Sequence, residues 1–221
     1  MPRICILLNK YGIKCSKTKV YRYMKEMNLF SVIRVKKMHR KPKEIKNTRT
    51  GFKNVIQRKW ALYDVNELWV TDVTFIKLKN SFVYLSVLKD AKSGFIVGHK
   101  LSKVNDNKIW KDTLENANQF RQINKKLVIH SDNGNQYTSI WMRRYAKKNN
   151  IIISLSRAGN SIDNAICETF FSQLKHELPN LEKQQTFNEL ENMINNYINY
   201  HNYERIMIKH KDTPASFYLG K

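Results

Sequence analysis

Three acidic residues stand where carboxylates are usually disfavoured or idle, and their positions carry the chemical reading of the sequence. Asp72 falls in the middle of a strand-like run, residues 69–78 (WVTDVTFIKL), with Val70 and Thr74 on its own face. A strand-interior aspartate gives up solvation and packs poorly, so it needs a cation, a hydrogen-bond partner or an exposed edge. Asp132 sits in His130-Ser131-Asp132-Asn133-Gly134, at the end of a second short strand. Strand ends of mixed sheets are common places for a site, and Gly134 lets the backbone turn sharply beside the carboxylate. Glu168 lies on a helix whose Ile166, Phe170 and Leu174 make a stripe that packs on the sheet, so Glu168 borders the stripe and leans over the sheet's end. Lys175, seven residues on, falls almost on the same helical face about two turns away.

Singly, such residues are more often an edge charge or a solvated one. Together they point to hard-cation chemistry: oxygen ligands without soft ones, hence Mg²⁺ or Mn²⁺. Two such ions roughly 4 Å apart would activate an attacking oxygen and stabilise the leaving oxygen of a phosphodiester. No Ser/His/Asp or Cys/His arrangement competes, and no Gly-rich phosphate loop is present. Cys5, Cys15 and Cys167 are odd in number and far apart, which supports neither a disulfide framework nor a zinc site, and a cytosolic, reduced protein is the default reading.

The elements that must position these groups follow from pattern. Residues 69–78, 82–89 and 95–101 are rich in β-branched and aromatic side chains, and Lys79-Asn80-Ser81 and Lys92-Ser93-Gly94 are turn signals, which predicts three successive antiparallel strands. A helix near 106–121, a strand over 127–131, a helix near 138–149 and a strand over 151–155 come next, and helices near 162–178 and 187–202 close the chain. The predicted class is α/β, a mixed five-stranded sheet flanked by helices in the order of the ribonuclease H-like fold. Ahead of it, Ile4, Leu7 and Leu8, the break at Gly12, a cap at Ser16 or Thr18, and Val20, Met24 and Met27 predict two short helices. Such a pair is either a helix-turn-helix-like DNA-binding module or a plain helical hairpin.

Charge separates these parts. The net charge is +22, and residues 1–60 hold 18 of the 40 basic groups but only 2 of the 18 acidic ones. A basic N-terminal segment on a nearly balanced remainder suits a polyanion, nucleic acid first and an anionic membrane surface second. No membrane span or signal peptide is visible. We therefore divide the chain into a helical segment over 1–33, a basic linker over 34–59 and a core over 60–221. The linker's Lys36, Lys37 and Arg40 are either a solvated run or contacts to a phosphate backbone.

Five segments make the reading specific: WVTDVTFIK (69–77), HSDNGNQYTS (130–139), SRAGNSIDNAICETFFSQLKHEL (156–178), YINYHNYERIMIKHKDTPASFY (197–218) and RICILLNKYGIKCSKTKVYRYMKEMNLF (3–30). They closely resemble the second reading frame of the IS-three group of insertion-sequence transposases, of the retroviral-integrase catalytic core superfamily. The 35 residues between Asp132 and Glu168 match that superfamily's D,D(35)E spacing. The resemblance implies that Asp72, Asp132 and Glu168 are catalytic and hold the metal, and that Lys175 contacts the DNA end. It also implies a supporting shell of Asn160, Asp163 and Asn164, with Asp163 a helix cap rather than a ligand. Asn160 and Tyr137 lie on the DNA side, Tyr137 as a stacking or phosphate contact or else as a core aromatic. The implied activity is strand cleavage followed by 3′-OH strand transfer, on element ends and target DNA. The implied setting is a homo-oligomer on DNA in the bacterial cytoplasm at the nucleoid, with the product of an upstream overlapping frame as a further partner. Relatives carry more sequence before the pair matching Arg3-Ile4, so the expectation here is a truncated copy or a frame begun at an internal Met. Two other functions stay open: a non-catalytic DNA-binding regulator of a full-length relative, and a ribonuclease H-type nuclease for RNA–DNA hybrids.

Overall fold

The computed structural model describes residues 2–30, 53–79, 81–120, 126–132, 135–156, 164–178, 180–184 and 186–220. The chain divides into two compact units, one of residues 41–198 and one of residues 1–40 with 199–221.

The larger unit is built on a five-stranded sheet of β1 (Leu68–Leu78), β2 (Ser81–Asp90), β3 (Ile96–Ser102), β4 (Leu127–Ser131) and β5 (Ile151–Leu155), in the order β3-β2-β1-β4-β5. The first three strands form the antiparallel meander that the turn signals predict, and β4 and β5 add parallel strands on the other side of β1. Leu78 pairs with Ser81, so two residues close the first hairpin, and Lys79 takes the left-handed conformation such a tight turn requires. At the second turn the buried Asp90 carboxylate accepts bonds from the Asn66 and Ser93 backbone N–H groups and the Ser93 hydroxyl. Its pKa is nonetheless raised by burial.

Alternation along the strands gives each sheet face its own cover. Leu68, Val70, Ile76, Leu85, Val87 and Val128 join Cys167, Phe170, Phe171 and Leu174 of α6 (Ala165–Glu177) and Leu190, Ile194 and Tyr197 of α7 (Phe187–Tyr203) in one apolar core. The opposite face meets α3 (Asn107–Ala117) on β3 and α5 (Ile140–Lys148) on β5. Burial on both faces explains why the strands read as nearly continuous apolar runs. At the α3 contact a Cβ on Gly98 would stand 2.5 Å from the Thr113 carbonyl oxygen, so only glycine admits this approach.

Two details depart from the sequence-based expectation. The helix expected over 138–149 is a short α4 (Asn135–Thr138) followed by α5, because the Ser139 side chain accepts the Met142 N–H and starts a new helix. The stripe of α6 runs through Cys167, Phe170, Phe171 and Leu174, while Ile166 is only half-buried.

In the smaller unit α1 (Pro2–Lys10) ends before Gly12, which is left-handed, and Ser16 caps α2 (Lys17–Glu26) by accepting the Lys19 N–H at 3.2 Å. Cys5 and Val20 are the buried residues of these two helices. α1 is tied to the C-terminal segment by Arg3 Nε, which donates to the Ile206 carbonyl, and by an ion pair of Lys10 with Asp212. Thr213 caps the closing helix α8 (Pro214–Leu219). Among the described residues no helix is long and apolar enough to cross a membrane.

Candidate active site

Asp72 is a half-buried residue of β1 opposite Val87, on the face covered by α6, and its Oδ1 accepts the Val73 N–H at 2.8 Å. β4 runs parallel to β1 with Val70 beside His130, and Asp132 follows the last residue of β4, exposed. Two residues beyond that shared register on each strand, the two aspartates come beside one another where β4 ends. Glu168 is exposed in the first turn of α6. The carboxylates are close enough to act on one another. Burial first and then the negative charge of Asp132 push the Asp72 carboxyl up to about 7; the Val73 N–H opposes them, and Glu168 adds the smallest push. The buried Tyr137 phenol and Cys167 thiol are raised too, chiefly by burial and then by Asp72. Among the described residues no three His, Cys, Asp or Glu side chains are already gathered tightly enough to hold one metal ion.

Around these acids the structure sorts the remaining candidates. Asn164 occupies the cap position of α6, but its side chain makes no capping bond. Its Nδ2 donates to the Thr71 carbonyl at 3.0 Å, which clamps the start of Glu168's helix to the residue before Asp72. Its buried Oδ1 has no hydrogen-bond partner among the described residues. Asp163, the expected helix cap, lies outside the described residues, as do Asn160, Lys36, Lys37 and Arg40.

Tyr137 is 1% exposed and packs edge-on against Trp110, the surroundings of a core aromatic. Its hydroxyl has no partner of regular geometry, although Thr71 is near enough to act on it. Lys175 is exposed, its ammonium donating to the Phe75 carbonyl at 2.9 Å and lying 5.1 Å from the centre of the Phe75 ring.

Sequence reasoning passed over two residues. His130 is fully buried with both ring nitrogens engaged, one by Ser154 Oγ at 2.9 Å and the other by Ser156 Oγ at 3.1 Å, and Trp60 packs on its edge. It braces the strand end that presents Asp132, and a histidine directly after the apolar run Leu127, Val128 and Ile129 was the available signal. Lys89 is also buried, with Nζ 5.3 Å from the centre of the Phe170 ring and near enough to lower the Cys167 pKa. Its position opposite Val70, on the α6 face, follows from strand register that the sequence does not display.

Comparison with known proteins agrees with this architecture. Residues 63–161 and 168–218 match the family described as Integrase core domain, and residues 1–37 match an HTH-like domain. The chain is 34% identical, over 97% of its length and 75% of the relative's, to the putative transposase InsK for insertion sequence element IS150 of Escherichia coli K12. It is 32% identical to the transposase for insertion sequence element IS904 of Lactococcus lactis, over 92% of this chain and 80% of that one. Among solved structures the HTLV-2 integrase catalytic core domain in complex with magnesium superposes with a TM-score of 0.57 at 22% identity, over 69% of this chain and 96% of that one. A sheet of three antiparallel and two parallel strands, two aspartates brought together where β4 ends, and relatives of this likeness over nearly the whole chain give one conclusion: the protein belongs to the integrase-core family of insertion-sequence transposases.

Proposed function

We propose that Asp72, Asp132 and Glu168 are the catalytic carboxylates of this transposase, a polynucleotidyl transferase, and that they hold Mg²⁺ or Mn²⁺, two ions in all. The observation that carries the assignment is the register of β1 and β4, which brings Asp132 beside Asp72 while Asn164 ties the helix of Glu168 to Thr71; the raised Asp72 carboxyl, at about 7, agrees with it. Three carboxylates kept in mutual repulsion are costly unless a cation joins them, and oxygen donors alone suit a hard divalent ion. Once bound, the cations would supply Lewis-acid activation of the attacking oxygen and neutralise charge on the leaving one.

The chain's own residues position the rest. Asn164 fixes the helix of Glu168 to the strand of Asp72, and its buried Oδ1 is free to accept a hydrogen bond from water entering the site. His130 stiffens the strand before Asp132. Lys175 contributes positive charge for the DNA end, and the α1–α2 module with Lys36, Lys37 and Arg40 supplies phosphate contacts. The substrates in this reading are element ends and target DNA, cleaved by water and joined by the freed 3′-OH, in a homo-oligomer in the bacterial cytoplasm at the nucleoid. The product of an upstream frame remains part of the proposal as a partner.

Asp132→Asn tests the assignment. With Mn²⁺ and labelled element ends, the variant is expected to lose cleavage and strand transfer by at least about a thousandfold, on the scale of lost charge stabilisation in other active sites, while duplex affinity stays within about twofold. Retained strand transfer in the variant overturns the triad. Binding without cleavage by the parent protein favours the regulator instead.

A further inference from the structure

Strand β1 leaves a second feature at the surface, beyond the carboxylates. Phe75 and Phe82 sit on one face of the β1–β2 hairpin, at 60% and 52% exposure, although aromatic residues of this size are normally covered. Their rings meet edge to face, with centroids 5.6 Å apart and planes at 90°. In the strand register Lys77 stands directly opposite Phe82, and Phe75 is its diagonal neighbour. Lys77 and Lys175 are both exposed, and the Lys175 ammonium lies against the Phe75 ring. The exposure of both rings leaves aromatic surface open beside the Lys175 ammonium.

The location relates this surface to the acids. Phe75 is three residues from Asp72, about 10 Å along the strand. Alternation turns it to the opposite sheet face, yet Lys175, from the helix on the Asp72 face, reaches it. Strand β4 pairs with β1 only over residues 68–70, so among the described residues no strand covers that edge of β1 from Asp72 onward. Along this edge of β1 the Phe75 carbonyl that Lys175 engages lies three residues beyond Asp72.

We propose that Phe75 and Phe82 form a stacking platform for an unpaired base of the substrate DNA, with Lys77 and Lys175 holding the flanking phosphates. The proposal rests on the carboxylates being the reaction site. Base–aromatic stacking beside cations is tolerant of sequence, which suits an enzyme that must hold open a strand next to the scissile phosphate. A protein partner would use the same apolar area, but the two lysines and the net charge of +22 favour a polyanion.

The test compares a blunt duplex with the same duplex carrying a 3′ single-stranded overhang that contains 2-aminopurine, in EDTA, with the full chain. The parent is expected to quench the fluorophore and to bind the overhang about tenfold more tightly than the blunt duplex. The F75A/F82A double variant should lose both effects, Phe82→Leu should lose most of them, and Phe82→Tyr should keep them. Both positions are exposed, and circular dichroism confirms folding. An unchanged quench in the double variant overturns the platform, and an unchanged quench with altered sedimentation reassigns the patch to protein contact. Because no metal is present, the two proposals fail separately. Absent cleavage by the parent in Mn²⁺ with quenching intact leaves the platform standing; intact cleavage without quenching sinks it alone.

Discussion

At the scale of the residue, Asp72 links stability to chemistry. Its carboxyl ionises near 3.8 in an unfolded chain and at about 7 in the folded one, so folding favours its protonated form. Stability from this group is therefore fully present below about pH 4 and is lost as the pH rises through 7. Every tenfold gain in proton affinity on folding corresponds to about 1.4 kcal/mol, enough to move the melting temperature by several degrees in a chain of this size. In EDTA, Tm is expected to fall between pH 4 and 8, and Asp72→Asn should flatten that slope and melt higher than the parent at pH 8. Adding Mn²⁺ to the parent at pH 8 should restore the lost stability and leave the variant unmoved. A variant that melts lower than the parent at pH 8 contradicts the electrostatic account.

At the scale of the element, the site depends on two helices pressed against opposite faces of one sheet. Gly98 sets how closely α3 approaches β3, since a Cβ there would meet the Thr113 carbonyl and, at 2.9 Å, the Ala117 methyl. Gly98→Ala is expected to cost about 1–3 kcal/mol, read as a lower urea midpoint at unchanged m-value; an unaltered midpoint means the helix yields freely. Much of this level was legible in the sequence. The strands over 127–131 and 151–155 stand where the apolar runs placed them, and the turn residues located both hairpins. What escaped depends on contacts between distant residues. The bond from Asn164 to the Thr71 carbonyl spans 93 positions, and His130 is satisfied by serines 24 and 26 positions away. Local pattern holds no trace of such pairs. The contact of Tyr137 with Trp110, on another helix, is of the same kind. Cys167, counted only as an unpaired thiol, is a core residue of the helix that carries Glu168.

At the scale of the whole molecule, charge decides how DNA is held. The basic excess concentrates in residues 1–60, and two sets of residues there compete for the phosphate contacts. One is Lys36, Lys37 and Arg40. The other is the exposed face of α2, where Lys19 and Arg22 lie over the Tyr23 ring. Counterion release separates them, because each neutralised phosphate steepens the dependence of log K on log salt by about 0.9. Changing Lys36, Lys37 and Arg40 together to Gln is expected to make that slope shallower by about 2 to 3, measured by fluorescence anisotropy on a duplex across a salt series. Lys19→Gln with Arg22→Gln should change it by no more than about 2. Asp132→Asn removes no cation, so its slope should match the parent's, which separates holding DNA from cutting it. If the triple variant keeps the parental slope, that run is merely solvated and the phosphates are held elsewhere. The loss would then fall on the α2 pair, and the helical module rather than the basic segment after it would be what anchors the transposase to its duplex.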